Sequence, residues 1–317
     1  TVDLRTPYFK RICSMLDLPA LKKAGLKVGV DPLYGAASGY LRPLAEQLGL
    51  KTLAIHENRD VSFGGRPPYT GPESLSELSR LVLKNKLHMG LACDCDGDRF
   101  GIVDDKGQWV SPNEVLALVL GHVVRNRRMT GRVCKNVVTS HLVNLMAKSV
   151  GCEVRETPVG FRHVGDLMRT GNYVLGGEES GGLTIRGHIP DKDGVLACLL
   201  MAELLAFEKK PLSVLRGNLK KQFGEFYSQK VSVPIGDFNF TAVSERLSVK
   251  PPLDLAGFSV WRIDQTDGFK FILRDGSWLG LRHSGVERLV RLYAESSSPK
   301  KLAALAAEGK KIIRGDF

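Results

Sequence analysis

Residues 89–107 read MGLACDCDGDRFGIVDDKG, in which an apolar run passes directly into a cluster of carboxylates. Three of these, Asp94, Asp96 and Asp98, occupy alternate positions and are followed by Arg99. Carboxylates this close repel one another, and beside a buried strand they also lose hydration. A bound cation would remove both costs, so the pattern predicts a strand that ends in a metal-binding loop. Mg²⁺ suits ligation by oxygen atoms and leaves positions for phosphate oxygens.

Three other interpretations fit this acidic loop less well. An EF-hand loop also begins with alternate acidic residues, but its sixth position must be glycine and its twelfth is a glutamate, where this chain has Arg99 and Asp105. A phosphatase with an aspartyl nucleophile would need a hydroxyl residue soon after the second aspartate, where Gly97 and Asp98 stand. A solvated acidic turn is poorly compatible with direct attachment to a buried strand. We therefore expect a site for a hard cation.

The sequence on either side of the loop predicts an α/β fold. Residues 26–31 form a short apolar run, LKVGVD, and residues 75–82 carry apolar side chains at helical spacing. A further helix is predicted after Ser111, which is a suitable N-cap, with Pro112 at the first position and Glu114 in the first turn. Strands that alternate with helices in this way favour a mostly parallel sheet.

The pattern changes along the chain, which is long enough at 317 residues for two or three domains. From about residue 222, alternating strands and tight turns replace the strand–helix alternation, and a helix ends the chain. We expect two mixed-sheet α/β domains, residues 1–108 and 109–221, followed by a smaller α+β C-terminal domain of residues 222–317.

Composition restricts the partners. A net charge of +11 and a pI near 9.4 favour an anionic partner, either a phosphorylated metabolite or nucleic acid. The basic run at 125–132 has no interleaved aromatic residues, so we expect no nucleic-acid partner. The longest apolar stretch, 194–207, contains Glu203 and is too short to span a bilayer, so we expect no membrane partner. Six scattered cysteines without a CxxC pair predict reduced thiols in a cytoplasmic protein.

A second loop, residues 176–194, combines glycines with acidic and hydroxyl side chains. Its glycines would let the backbone approach a ligand closely. Glu178, Glu179 and Ser180 are suited to bridging vicinal hydroxyl groups of a sugar. Taken by itself the loop is only moderately specific, and an isolated histidine such as His188 is more often structural than functional.

A third loop, within residues 281–295, has the elements of a phosphate-binding cradle. Arg282 and Arg291 supply guanidinium groups, Ser284 supplies a hydroxyl, and Gly285 leaves its backbone amide accessible. The alternative is a surface turn with ordinary ion pairs.

Together and in this order, the loops closely resemble the α-D-phosphohexomutase family, which comprises phosphoglucomutases and phosphomannomutases. The resemblance extends from about Leu26 to Glu295 and rests on four segments: DCDGDRFGIVD, VVTSHL…ETPVGFRHVG, GGEESGG…GHIPDKDG and LRHSGVERLVRLYAE. Members of this family have four domains. The resemblance implies that this chain corresponds to domains two to four, without the first domain, which carries the phosphorylated serine.

The resemblance also implies roles for individual residues. The three carboxylates of the acidic loop would bind Mg²⁺, and Arg99 would lie beside the transferring phosphate. His188 and Lys192 would be catalytic candidates that orient substrate or move protons. Substrate binding, to the sugar hydroxyls or to the phosphate that does not react, would fall to the following residues: Arg162, Glu178, Ser180, Arg282, Ser284, Gly285 and Arg291.

Several positions depart from the family pattern. Arg162 stands where the family often has lysine, and Val286 and Arg288 stand where it usually has threonine and proline. Gly182 replaces a histidine found in the bacterial dual-specificity mutases. The segment GEESGG instead favours the phosphoglucomutase-like branch.

The implied activity is that of an isomerase of carbohydrate metabolism, an intramolecular phosphotransferase that interconverts hexose 1-phosphate and hexose 6-phosphate. In the family a phosphoserine donates its phosphoryl group, glucose 1,6-bisphosphate forms, and the other phosphate returns to the serine. We expect glucose phosphates as substrates. Mannose or glucosamine phosphate specificity, and a non-catalytic phosphosugar-binding homologue, are the alternatives.

The sequence contains no loop resembling the Thr-Ala-Ser-His-Asn-Pro segment that carries this serine. Residues 139–141 read TSH, but they match a different family segment, in the third domain. The chain also begins without methionine. We therefore expect part of a longer enzyme, inactive without its phosphoserine domain.

Overall fold

The computed structural model describes residues 2–235, 240–285 and 287–315. The chain folds as two compact units, which consist of Thr1–Glu156 with Gly160–Gln222 and of Thr157–Val159 with Phe223–Phe317. The α/β fold predicted from the sequence is confirmed. The first unit contains two sheets, and the division into three domains stays a prediction.

The first sheet of the first unit is mixed, with the strand order β2-β1-β3-β4-β5. Its strands are β1 Lys27–Asp31, β2 Lys51–Ala54, β3 Met89–Cys93, β4 Phe100–Val103 and β5 Trp109–Val110. Strands β2, β1 and β3 are parallel, and β3 pairs antiparallel with β4. The acidic loop is the connection between β3 and β4.

The second sheet has the order β7-β6-β8-β9. Its strands are β6 Arg132–Asn136, β7 Val154–Thr157, β8 Tyr173–Gly177 and β9 Leu183–Ile185. Strands β6 and β8 are parallel, whereas β8 and β9 are antiparallel. The segment 176–194, predicted as a loop that binds sugar, contains the end of β8, the turn to β9, β9 itself and the connection to α8. Glu178, Glu179 and Ser180 lie in the turn.

Helices cover both sheets, and one of them is shared. The helices of the first unit are α1 Arg5–Ser14, α2 Leu18–Ala24, α3 Leu41–Gln47, α4 Ser76–Asn85, α5 Pro112–Arg125, α6 His141–Ser149, α7 Phe161–Thr170, α8 Gly194–Glu208 and α9 Leu212–Phe223. Helix α8 is buried on all sides because it packs against β3 and β4 of the first sheet and against β9 of the second. Helix α8 therefore fixes the two sheets, and the loops at their edges, relative to each other.

The predicted start of α5 is confirmed in detail. Ser111 Oγ accepts a hydrogen bond from the Glu114 N–H at 3.2 Å, and the Ser111 N–H donates to Glu114 Oε2 at 3.1 Å. This reciprocal arrangement satisfies two backbone donors that the first turn of a helix leaves without partners.

The second unit is an antiparallel sheet with the order β10-β15-β14-β13-β12-β11. Its elements are β10 Tyr227–Pro234, α10 Phe240–Val249, β11 Asp254–Leu255, β12 Phe258–Asp264, β13 Phe269–Leu273, β14 Trp278–His283, β15 Leu289–Ser296 and α11 Pro299–Arg314. Leu279 and Leu292 of the sheet form its core with Leu305 and Ile312 of α11. A Cβ at Gly309 would lie 2.5 Å from Leu292 Cδ1, so glycine allows this close approach.

Within the described part of the chain, no helix combines the length and apolar character that crossing a membrane requires. All six cysteines are free thiols.

Candidate metal- and sugar-binding site

The three carboxylates of the acidic loop converge. One oxygen from each of Asp94, Asp96 and Asp98 lies within 4.8 Å of the other two. Asp94 is buried, with 4% of its surface exposed, whereas Asp98 is half-buried and Asp96 is exposed. The cluster thus opens to solvent on one side, which would allow both a cation and a ligand to enter.

Backbone hydrogen bonds give the loop its shape. The Arg99 N–H donates to Asp94 Oδ1 at 3.0 Å, and the Asp94 N–H donates to the Arg99 carbonyl at 3.2 Å. Gly97, with φ of 79°, turns the chain between them. The segment between β1 and α3 also contacts the acidic loop, because the Ala36 N–H donates to the Cys95 carbonyl at 2.8 Å. The carboxylates are therefore held in place by backbone contacts.

The residues present fit a divalent cation. Burial, together with the nearby charges of Asp96 and Asp98, raises the pKa of Asp94 to about 6, although the Arg99 N–H opposes the shift. Oδ1 of Asp98 is buried without a hydrogen-bond partner, as is Nε of Arg99. An all-oxygen set with an unsatisfied buried oxygen is chemically suited to Mg²⁺, which would remove the repulsion that raises the Asp94 pKa.

Two cationic side chains border the cluster. Lys192 forms an ion pair with Oδ2 of Asp98. Arg99 Nε lies 3.7 Å from Asp98 Oδ1 and 3.8 Å from Asp94 Oδ2, beyond hydrogen-bonding distance. Because neither carboxylate engages the Arg99 guanidinium closely, it can bind an anion. The structure thus brings two of the predicted catalytic residues, Arg99 and Lys192, to the predicted metal ligands.

The acidic loop is bonded to the predicted sugar-binding segment. Arg99 forms an isolated β-bridge with Gly182, and the Phe100 N–H donates to the Gly181 carbonyl at 3.3 Å. The Gly194 N–H donates to the Gly97 carbonyl at 3.1 Å. The two segments, far apart in sequence, therefore form one continuous surface.

Two residues that the sequence analysis did not select hold the sugar-binding segment. Asn136 Nδ2 donates to Glu178 Oε1 at 3.2 Å and to Glu179 Oε2 at 2.8 Å. Thr139 Oγ1 donates to Asn136 Oδ1 at 2.8 Å and accepts from the Glu179 N–H at 3.1 Å. Both Asn136 and Thr139 are fully buried. The available signal was an asparagine at the end of a strand-like run, RVCKN, because polar groups at the carboxyl edge of a parallel sheet commonly bind a ligand.

Glu178 and Ser180 occupy different environments. Glu178 is 6% exposed, and its Oε1 also accepts from the Gly160 N–H at 3.0 Å. Ser180 is half-buried in the turn between β8 and β9. Arg162 is exposed in the first turn of α7, where its Nε lies 3.4 Å from His163 Nε2.

His188 lies in a separate buried group. Its side chain is 2% exposed, and its Nε2 is 2.9 Å from Asp193 Oδ2. Tyr8 from α1 donates to the same carboxylate, and Oδ1 of Asp193 caps α8 by accepting from the Leu196 N–H at 2.8 Å. Burial and the Asp193 charge raise the Tyr8 pKa well above its usual range. His188 thus contacts the residue that follows Lys192, and the role predicted for it stays a prediction.

The predicted phosphate cradle lies in the second unit. Arg282 Nε donates to Asp267 Oδ2 at 2.6 Å, and Arg291 forms an ion pair with Glu287. Ser284 is buried, and its Oγ accepts from the Glu287 N–H at 3.1 Å. Both guanidinium groups are thus oriented by carboxylates.

Gly285 is exposed, and a Cβ at this position would contact nothing within 4 Å. Arg288 is exposed as well. Val286, the other departure from the family pattern, lies outside the described residues.

Domain models of one family match almost the whole chain. They are the phosphoglucomutase/phosphomannomutase alpha/beta/alpha domain II over residues 6–107, domain III over 111–223 and the C-terminal domain over 231–311.

Individual relatives agree with these matches. A phosphoglucomutase of Komagataeibacter xylinus is 29% identical over 99% of this chain and 61% of its own length. A phosphoglucomutase/phosphomannomutase of Thermococcus kodakarensis is 30% identical over 98% of this chain and 66% of its own. The crystal structure of a phosphoglucomutase/phosphomannomutase family protein from Burkholderia thailandensis shares the fold, with a TM-score of 0.84 and 21% identity over 99% of this chain and 65% of that one. The chain therefore spans less than two thirds of the length of these proteins.

Proposed function

Since this chain belongs to the phosphoglucomutase/phosphomannomutase family, we propose that it binds Mg²⁺ and a hexose phosphate for the interconversion of hexose 1-phosphate and hexose 6-phosphate. The observation that carries the proposal is the joining of two segments in the first unit. The metal-binding carboxylates and the glutamates suited to sugar hydroxyls are linked by the hydrogen bonds of Phe100 and Gly194. The proposed metal site thus adjoins the surface proposed to bind sugar hydroxyls.

In this proposal each side chain has a chemical task. Bound Mg²⁺ would neutralise charge on the phosphate oxygens as they transfer. Arg99 and Lys192 add positive charge on the same side, which stabilises the transferring phosphoryl group by electrostatics rather than by covalent chemistry. Glu178 and Ser180 accept and donate hydrogen bonds to sugar hydroxyls. A sugar rotated between the two transfers would present a similar hydroxyl pattern to these two groups.

The phosphoryl donor is proposed to be a phosphoserine outside these 317 residues. Its phosphoryl group passes to the free hydroxyl of the hexose phosphate, which gives glucose 1,6-bisphosphate, and the serine takes the other phosphate back from this intermediate. In this reaction the phosphoserine domain is a partner that the chain requires for turnover. We expect the chain to be inactive by itself. The six free thiols support the proposal of a cytoplasmic location.

Glucose phosphates are the proposed substrates because GEESGG resembles the phosphoglucomutase-like branch. Mannose and glucosamine phosphates differ from them at one ring substituent, next to the hydroxyls that Glu178 and Ser180 would bind. A non-catalytic phosphosugar-binding protein is the second candidate, because the same two segments would bind Mg²⁺ and a sugar phosphate without phosphoryl transfer.

Calorimetric titration of the chain with glucose 1,6-bisphosphate, with and without Mg²⁺, tests the proposal. We expect saturable binding that Mg²⁺ strengthens and that both Asp96→Asn and Arg282→Ala weaken. Arg274→Ala, an exposed arginine in the same unit as Arg282, is the matched control and should bind like the unaltered chain. If Asp96→Asn and Arg282→Ala both bind glucose 1,6-bisphosphate as tightly as the unaltered chain, the assignment is refuted.

Turnover of glucose 1-phosphate after addition of a phosphoserine domain from a relative separates the two candidates. Activity would support the mutase. The control is the same phosphoserine domain added to the remaining domains of the relative from which it comes, which should restore activity there. Binding of glucose 1-phosphate by this chain without activity, when that control is active, would favour the binding protein.

A further inference from the structure

The first unit contains a second concave site, at the edge of the first sheet opposite the acidic loop. Its cavity volume is about 970 Å³. Leu26 and His88, which line it, precede β1 and β3, whereas Asp94 follows β3. A strand of five residues spans about 17 Å, so the cavity is distinct from the proposed metal site.

The cavity is strongly basic. Its lining includes five lysines: Lys23, Lys86, Lys106, Lys209 and Lys210. Asp105 is the only carboxylate among the lining residues that the structure describes, and it is 4.0 Å from Lys106 and already accepts hydrogen bonds from Ser213. Within the described ranges, the other four lysines form no ion pair. Such an excess of uncompensated positive charge favours a ligand with several negative charges.

Two of these lysines stand where the backbone disfavours a side chain. Lys86 and Lys209 follow the last residues of α4 and α8 in the left-handed conformation, with φ of 50° and 51°. Glycine is the usual residue at such helix ends, and Gly25 fills the equivalent position after α2, between two residues that line the cavity. Each lysine therefore costs conformational free energy that glycine would not.

Interaction with the helix dipole does not account for Lys86, whereas Lys209 can interact with the carbonyl end of α8, whose last turn contains no basic residue. The last turn of α4 already contains a lysine, Lys84, which can interact with the carbonyl end of the helix. Helices α4 and α8 both end at the same cavity, and both end in a strained lysine. The shared feature of the two positions is the cavity that they line.

Part of the cavity lining is apolar. Leu83 is 54% exposed, although it is a large hydrophobic residue, and Phe207 is half-buried beside Leu205 and Ala24. An inorganic anion would leave this surface in water. A fatty acid would cover it but would bring one charge to five lysines. A flat or ring-shaped apolar group that carries several phosphates satisfies both parts of the lining.

We propose that this cavity is a second binding site, for an organic polyphosphate of the nucleoside triphosphate class. The phosphates contact the lysines at the rim, including Lys86 and Lys209, and the base covers Leu83 and Phe207. The volume lies within the range for small-molecule sites and can hold a ligand of this size. The site does not depend on the activity proposed for the acidic loop.

Calorimetric titration with ATP, in the presence of EDTA to keep divalent cations from the acidic loop, is the test. We expect one saturable site. Inorganic tripolyphosphate, which lacks the base, and adenosine, which lacks the phosphates, should each bind at least about tenfold more weakly. Tripolyphosphate binding as tightly as ATP would overturn the proposal, because it would show a surface that attracts any polyanion. Displacement of ATP by glucose 1-phosphate would also overturn it.

The double variant Lys86→Gly/Lys209→Gly separates binding from folding. Because glycine relieves the backbone conformation, we expect the melting temperature to rise by about 2 °C or more, while ATP affinity falls roughly tenfold or more. The control Lys148→Ala/Lys310→Ala removes the same charge from exposed sites outside the cavity and should retain ATP binding. Unchanged ATP affinity in the glycine variant would refute the site. Sedimentation that shows a dimer formed through this face, with no ATP binding, would do the same.

Discussion

Lys192 forms an ion pair with Oδ2 of Asp98, so a lysine just before α8 neutralises one of the three carboxylates of the acidic loop. The approach depends on a third residue. A Cβ at Gly182 would lie 2.7 Å from Lys192 Cδ and 2.8 Å from its Cγ. The absence of a side chain at Gly182 thus makes room for the lysine stem.

Removal of this lysine should strengthen metal binding. In Lys192→Ala, the Asp98 carboxylate loses a competing cation, so we expect Mg²⁺ affinity to rise by about tenfold in a calorimetric titration. Lys148→Ala, which removes an exposed lysine elsewhere in the first unit, is the control and should leave the affinity unchanged. Equal Mg²⁺ affinity in all three proteins would show that Lys192 does not compete for the site.

A side chain at residue 182 should change Mg²⁺ affinity by displacing Lys192. Gly182→Ala would force the Lys192 stem away from Asp98, so we expect Mg²⁺ affinity to change in the same direction as in Lys192→Ala, with a loss of about 1–2 kcal/mol in the free energy of unfolding. Adding Lys192→Ala to Gly182→Ala should change the affinity little further. Gly217→Ala, where a Cβ would meet nothing within 4 Å, is the control and should not destabilise the chain. Additive effects of the two substitutions on Mg²⁺ affinity would contradict this coupling.

The raised pKa of Asp94 predicts a pH-dependent stability without metal. A carboxyl group with a pKa of about 6 in the folded chain, against an ordinary value of 3.8, contributes stability below about pH 4 that is lost as the pH rises through 6. Asp94→Asn keeps the acceptor for the Arg99 N–H but cannot ionise. In EDTA we expect this variant to be more stable than the unaltered chain by about 2 kcal/mol near pH 7.5, and equal to it near pH 4.

Thermal unfolding at both pH values measures this difference. Mg²⁺ should then stabilise the unaltered chain and leave Asp94→Asn largely unaffected, because the variant lacks one charged ligand. A stability difference that is the same at both pH values would mean that ionisation of Asp94 is not its cause.

Asn136 should affect sugar binding without touching the metal ligands. In Asn136→Ala, Glu178 and Glu179 lose the amide group that donates a hydrogen bond to each of them. We therefore expect the affinity for glucose 1,6-bisphosphate to fall by about tenfold and the free energy of unfolding to fall by about 1–3 kcal/mol. Mg²⁺ affinity in the absence of sugar should be unchanged. Asn144→Ala, on the neighbouring helix α6, is the control for loss of an asparagine and should retain sugar-phosphate affinity. A parallel fall in Mg²⁺ affinity would indicate that the substitution disturbs the whole edge of the sheet.

Local patterns in the sequence predicted much of the architecture. The apolar run before Asp94 forms a buried strand because removing its side chains from water stabilises the fold. The Ser111–Glu114 pair forms the helix cap that its spacing indicates, since the first turn of any helix needs acceptors for its free N–H groups. These features depend on neighbours in the chain, so the sequence contains what decides them.

Residues that act across long separations were not predicted. Asn136 lies 42 residues before Glu178, and Tyr8 lies 185 residues before Asp193, yet each is in hydrogen-bonding contact with its partner. Asp267, which orients Arg282, was likewise not selected. Such contacts depend on how strands pair and which helix face is buried, and no local spacing records either property.

The sequence by itself determined the alternation of strands and helices and the concentration of carboxylates in one loop, because backbone sterics and side-chain periodicity act over a few residues. It also determined the family, through several loops in a set order. Only the tertiary structure decided that Lys192 reaches Asp98 past Gly182, and that the ends of α2, α4 and α8 enclose a basic cavity. These arrangements result from the packing of α8 against both sheets, in which many distant side chains must fit together at once.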